Sequence, residues 1–286
     1  MASEDQASKL RELMRATSQG ARTTRTIAIT SGKGGVGKSN VALNLSILLS
    51  AAGHRVALVD ADLGLANLDV LSNVAVRANL SHVIAGTHTL EETIIDMSSG
   101  VQLVPGASGL AKLADLSEFQ RAQLVRELSA LESDNDIIVV DCSAGIGPDV
   151  MNFACGADHV MVVTTPEPTA ITDAYAVVKA ISRKSYTGRV SLLVNMVMDR
   201  HEARTTHQRI ATVARQFLNA KVFDAGYILM DPRVRESVRK REPFVLAYPK
   251  CPASQCLAAL ATKLRTGTTM TEQKNGFFQR VANWFA

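Results

Sequence analysis

The stretch TIAITSGKGGVGKS, residues 26–39, decides how the rest of the chain is read. Ile27-Ala28-Ile29 is apolar and β-branched, as a strand buried in a parallel sheet requires. The chain then breaks into a glycine-rich turn and enters a helical run, Asn40 to Ala52. The turn fits G-x-x-x-x-G-K-[ST], with Gly32, Gly37, Lys38 and Ser39 at the fixed positions and Gly34, Gly35, Val36 and Asn40 completing the loop. Glycines let backbone N–H groups turn inward on phosphate oxygens, and the following helix adds the positive end of its dipole. Lys38 is expected to reach the β- and γ-phosphates, and the Ser39 hydroxyl to sit on Mg²⁺. Between a strand and a helix, this pattern reads as a nucleoside-triphosphate site.

A second lysine, Lys33, follows the first glycine. A solvated loop cation would account for it. The unbroken KGGVGKS of residues 33–39, however, resembles the deviant Walker A motif of the MinD/ParA ATPases, and the resemblance covers roughly residues 25–265. It implies one doubly wound α/β domain with a mainly parallel sheet, binding ATP and Mg²⁺. It also implies slow hydrolysis in an ATP-bound homodimer, with Lys33 crossing to the partner's nucleotide as an arginine finger does elsewhere.

The bulk composition agrees with a globular domain: 286 residues, 47% hydrophobic and 20% charged. No apolar run reaches the roughly 18 residues that a membrane span needs. The first residues, MASEDQASKLREL, carry acids where a signal peptide has bases. A cytoplasmic location is expected, with peripheral attachment to the inner face of the cell membrane in the ATP-bound state. Cys142, Cys155, Cys251 and Cys256 form no C-x-x-C pair and read as reduced thiols, which argues against the iron–sulfur relatives of this fold. Residues 232–286 hold ten basic and three acidic side chains, a bias suited to an anionic surface.

Further along, RVALVDAD (55–62) reads as a strand ending in two aspartates, where ligands collect in open α/β sheets. Asp60 is placed to organise the Mg²⁺ shell and Asp62 to hold the attacking water. DIIVVD (136–141) is a second apolar strand ending in an acid, so Asp141 is expected to bind Mg²⁺ through water. Gly145 follows where a backbone N–H can sense the γ-phosphate. Residues 79–95 read as one or two short helices, 101–106 as a strand and turn, and 117–131 as an amphipathic helix capped by Ser117. By resemblance, Glu167 and Asp173 lie at the dimer interface, and Asp173 meets the signature lysine before dimerisation. Asn195, ending the strand 191–197, resembles the family's adenine-reading asparagine, and the loop with Pro232 resembles the one that covers the base. Residues 253–265 close the domain.

Two flanking segments remain. In residues 1–24, Ala7, Leu10, Leu13 and Met14 share one helical face. Asp5, Gln6, Ala7, Leu10 and Arg11 spell D-Q-A-x-x-L-R, which resembles the N-terminal activator motif of the FlhG (FleN) branch of MinD-like ATPases. There it stimulates FlhF, a signal-recognition-particle-type GTPase. At the other end, 266–275 reads as a linker and 276–286 as an amphipathic helix with Phe277, Phe278, Val281, Trp284 and Phe285 along one stripe. The stripe fits an in-plane helix on an anionic membrane surface and resembles the targeting helix of MinD and FlhG; packing on its own domain is the alternative.

The resemblance therefore implies a regulator of flagellar number and placement. Flagellar basal-body and transcription-regulator proteins are further implied partners, and direct nucleic-acid binding is not expected. A MinD-type division-site regulator, a ParA-type DNA-segregation ATPase, and a scaffold in which ATP only sets conformation stay open as alternatives.

Overall fold

The computed structural model describes residues 24–62, 67–106, 118–266 and 276–283. Its strands are β1 (Arg25–Ser31), β2 (Val56–Ala61), β3 (Ile95–Asp96), β4 (Val101–Val104), β5 (Ile137–Ala144), β6 (His159–Thr164), β7 (Arg189–Val197) and β8 (Phe223–Leu229). The main helices are α1 (Lys38–Ala51), α5 (Glu118–Asp134), α6 (Pro148–Gly156), α7 (Pro168–Arg183), α8 (Arg200–Leu218), α9 (Pro232–Lys240), α11 (Pro252–Thr266) and α12 (Phe277–Asn283). Four short helices intervene: α2 (Leu68–Ser72), α3 (Leu80–Ile84), α4 (Leu90–Thr93) and α10 (Phe244–Ala247). The expected pair of short helices in 79–95 is α3 and α4, each opened by a capping box, on Asn79 and Thr89.

The strands form one eight-stranded sheet in the order β3-β4-β2-β5-β1-β6-β7-β8. All neighbours are parallel except β3 with β4. The order reverses at β1, so the loop after β1 lies at the topological switch point where open α/β sheets bind ligands.

Two apolar layers hold the sheet. One joins its face to α1, α10 and α11 through Leu43, Leu45, Leu58, Val139, Phe244 and Leu257. The other joins the opposite face to α5, α6, α7 and α8 through Val140, Leu131, Phe153, Val177 and Ile210. Helix α1 is enclosed by sheet, α10 and α11, which explains why it buries residues all round rather than along one stripe. Its Asn44 is fully buried but satisfied, donating to the Asn40 carbonyl and accepting from Val245 N–H.

Of the two surfaces the C-terminal stripe fits, lipid or its own domain, the structure shows it on the domain. Helix α12 packs on α5 and α6, and Phe277, Phe278 and Val281 retain 1%, 3% and 3% of their surface. Gly156 makes room: a Cβ there would lie 2.7 Å from Val281 and 3.1 Å from Phe277. The physical reason is plain. An apolar stripe tethered to its own domain finds an apolar groove before it finds a lipid. Trp284, Phe285, Ser117, the linker residues 267–275 and the motif on Asp5, Gln6, Ala7, Leu10 and Arg11 lie outside the described residues.

Candidate functional site

The phosphate loop folds as its glycines predict. Gly35 and Gly37 adopt φ of 81° and 89°, a conformation that favours glycine. Close approach explains the first glycine of the pattern: a Cβ on Gly32 would lie 2.2 Å from the Asp173 carbonyl oxygen. A Cβ on Gly37 would lie 2.4 Å from Asn195 Nδ2. A cleft of about 920 Å³ opens over the loop, lined among others by Gly34, Gly35, Gly37, Lys38, Ser39 and Asn40. Such a nest of backbone donors at a helix N-terminus suits a polyphosphate.

Sheet register supplies the acids. Asp60 ends β2 directly beside Asp141 of β5, both buried. Burial and the Asp141 charge push the Asp60 carboxyl up to about 7. Burial also raises the Asp141 carboxyl, and the Lys38 ammonium at 2.6 Å pulls against it. Lys38 is also 3.9 Å from Asp62. One ammonium thus serves several carboxylates. Turning it toward a phosphate would strip Asp141 of its buried counter-charge. A divalent cation would replace that charge, so the donor set of Ser39, Asp60 and Asp141 fits Mg²⁺.

Several expectations change at this level. Lys33 Nζ meets Glu167 Oε2 at 3.0 Å and Thr169 Oγ1 at 3.1 Å, so its partner is Glu167 and not Asp173. The Asp173 main chain is spent on packing against Gly32. Gly145 N–H donates to the Ser31 carbonyl at 2.7 Å rather than facing the cleft, at a φ of 109° that favours glycine. Asn195 ties the loop down: Nδ2 donates to the Val36 carbonyl at 2.8 Å and Oδ1 accepts Met196 N–H at 2.9 Å. It still lines the adjoining pocket with Met196, Ile228, Met230, Val234 and Phe244, a mainly apolar slot. Pro232 opens α9 rather than lining that slot, which takes Met230 and Asp231 from the loop and Val234 and Arg235 from the first turn of the helix.

Other residues of the site were not singled out from sequence. The Ser143 hydroxyl donates to Asp62 Oδ1 at 2.9 Å and so orients the acid expected to hold water. Gly106 lies on the Asp60 carbonyl, where a Cβ would come within 2.2 Å. Arg235 and Arg239, counted above only among the basic side chains of residues 232–286, line the cleft one turn apart. No local pattern marks them, because their distance from the loop is closed only by the sheet.

A family model described as ParA, NUBPL iron-transfer P-loop NTPase, matches residues 22–265. The four cysteines, three of them buried, are free thiols. The chain is 40% identical to the antiactivator FleN of Pseudomonas aeruginosa, over 83% of this chain and 85% of that one. It is 37% identical to the flagellum site-determining protein YlxH of Helicobacter pylori, over 91% and 90%. The septum site-determining protein MinD of Pyrococcus horikoshii, solved with Mg-ADP, superposes with a TM-score of 0.69 at 27% identity, over 85% of this chain and 96% of that one.

Proposed function

The chain belongs to the ParA/MinD family of P-loop NTPases, and from that premise we propose that it is a Mg²⁺-dependent ATPase that sets flagellar number and placement. What carries the reading is the match to FleN and YlxH along almost the whole domain, around a phosphate loop that keeps both lysines.

The chain's own residues divide the work. Backbone N–H groups of residues 34–39 hold the phosphates, and Lys38 leaves Asp141 to join them. Ser39, Asp60 and Asp141 would hold Mg²⁺, which would supply positive charge to the phosphate groups when bound. Asp62, steadied by Ser143, orients the attacking water. Lys33 is held outward by Glu167 on the half-exposed rim, with side-chain exposures of 41% and 65%. An exposed pair of this kind is worth about 0–1 kcal/mol, so a second copy's nucleotide can take the lysine at little cost. The rim also bares Val70 and Val238, which line the cleft, and Ile146, two residues beyond its wall at Ala144. An ATP-bound homodimer closing on this face would cover them.

The segment before Thr24 would stimulate an FlhF-type GTPase, and the C-terminal helix would leave its groove for an anionic membrane. No helix among the described residues is long and apolar enough to cross one. Counting flagella by electron microscopy after deletion of the gene tests the whole reading. Excess or misplaced flagella with normal septa are expected. Normal flagella with misplaced septa would move the chain to division-site selection, and lost DNA would move it to segregation.

A further inference from the structure

Both ends of the domain are held at one corner. Helix α12 begins against Glu132, whose Oε1 accepts Phe278 N–H at 2.8 Å. A Cβ on Gly276 would stand 2.5 Å from the other carboxylate oxygen, so the carboxylate occupies the space a side chain would need. The main chain of the same turn holds the root of β1. The Thr24 hydroxyl contacts the Glu132 carbonyl and lies 2.9 Å from that of Asn135. Arg25 N–H donates to the Asp136 carbonyl at 3.0 Å. Asp158 stands as a second post. Its Oδ1 takes Arg280 at 2.9 Å, and its Oδ2 takes the N–H and hydroxyl of Thr26 at 2.9 and 2.7 Å. Residues 1–23 join the described domain at Thr24.

We propose that the two terminal segments are energetically coupled through this corner: undocking α12 frees the Thr24–Arg25 root, and a partner drawing on residues 1–20 loosens α12 in return. The inference rests on reading these segments as membrane- and partner-binding. Burial raises the Glu132 carboxyl, and the Phe277 and Phe278 N–H groups offset that cost. When α12 leaves, the carboxylate loses both donors and turns toward water. Helix α12 also packs along α5, so its departure removes support from the turn whose Glu132 and Asn135 carbonyls hold Thr24, and Thr24 loses its acceptors. Asp158 keeps both bonds to Thr26, which becomes the pivot. Coupling of this kind is reciprocal by thermodynamic necessity. The protein therefore presents its N-terminal segment best when its C-terminal segment sits on a lipid surface.

Hydrogen–deuterium exchange resolved to single amides tests the first half, comparing the full chain with one lacking residues 276–286. Exchange at Arg25 should quicken about tenfold, while Thr26 to Ser31 stay protected. Exchange at the Phe278 amide, held by Glu132, tests the reverse direction in the full chain without vesicles. Thr24→Val should quicken it clearly above wild type. Unaltered Arg25 protection in the truncated chain, or wild-type exchange at Phe278 in Thr24→Val, overturns the coupling. Neither readout needs a membrane, so failure of the full chain to pellet with phosphatidylglycerol vesicles would count against the membrane reading alone.

Discussion

Lys33 and Lys38 share one loop and have opposite surroundings. Lys38 is buried against Asp141, whereas Lys33 reaches outward to Glu167. Lys38→Ala should abolish ATP binding, because the loop loses its charge and Asp141 its counter-ion. Lys33→Ala should leave ATP affinity within a few-fold of wild type and cut turnover by roughly 10³, the range of a missing arginine finger. Fluorescent-nucleotide titration and phosphate release separate the two, and wild-type turnover in Lys33→Ala would sink the trans mechanism. A residue outside the site carries a pH dependence of its own. His159 is buried, its Nε2 2.6 Å from Ser191 Oγ, and burial with the Arg189 charge lowers its pKa to about 4. The unfolded chain takes up a proton below about pH 6.5 that the folded chain refuses until about 4, so this residue's contribution to stability falls as pH falls through that window. Between pH 7 and pH 5 that contribution falls by about 2 kcal/mol. Asp60, raised to about 7 in the folded chain, works in the opposite sense there, because the folded chain binds its proton first. Denaturant titration should therefore show His159→Gln gaining about 2 kcal/mol on wild type between pH 7 and pH 5; a constant difference would mean that His159 does not carry the effect.

At the scale of elements, α12 is balanced rather than fixed. Burying Phe277, Phe278 and Val281 gains about 1.5–3 kcal/mol each. Ordering the segment costs about 1–2 kcal/mol per residue, a sum as large as that gain or larger. The Arg280 pair with Asp158, at 13% and 11% side-chain exposure, then weighs in the outcome. Asp158→Asn should therefore increase pelleting with phosphatidylglycerol vesicles in the absence of ATP. Phe277→Glu should lower it, since the same face serves groove and lipid. Equal pelleting of Asp158→Asn and wild type would show that Arg280 is no latch. The period of this stripe was legible in the sequence, and so was its apolar character. Which apolar surface it meets was not, because groove and bilayer present the same chemistry to a helix. The same holds for Asn195 and Asp173: residue type and position in the chain were readable, but the Val36 carbonyl that Asn195 bonds and the Gly32 main chain that Asp173 packs on lie on another element.

For the whole molecule, the sheet order joins chain segments far apart in sequence. Asp60 and Asp141 meet because β2 and β5 pair in register, and β1 sits at the reversal that opens the cleft above its end. The cleft rim bares Val70 and Val238 and holds Lys33 by an exposed ion pair, a surface suited to closing on a second copy. Two such copies would carry two C-terminal segments, and the second would bind a membrane at high effective concentration. Light scattering should accordingly find monomers with ADP and dimers with ATP, the dimers persisting longest in Asp62→Ala, where turnover is blocked. Monomers under every nucleotide would remove the trans role of Lys33.

The amino-acid sequence by itself determined the doubly wound sheet, the phosphate loop and the acids around it. These depend on local order: an apolar strand, glycines in a short turn, a helix beginning at a lysine, and strands ending in aspartate. Only the tertiary structure decided that Glu167 holds Lys33, that Gly145 turns to Ser31, that Arg235 and Arg239 line the cleft, and that the C-terminal helix lies in a groove beside the root of β1. Each of these is a choice among partners of similar chemistry. Such choices are settled by distance and burial across the sheet, which no stretch of sequence contains.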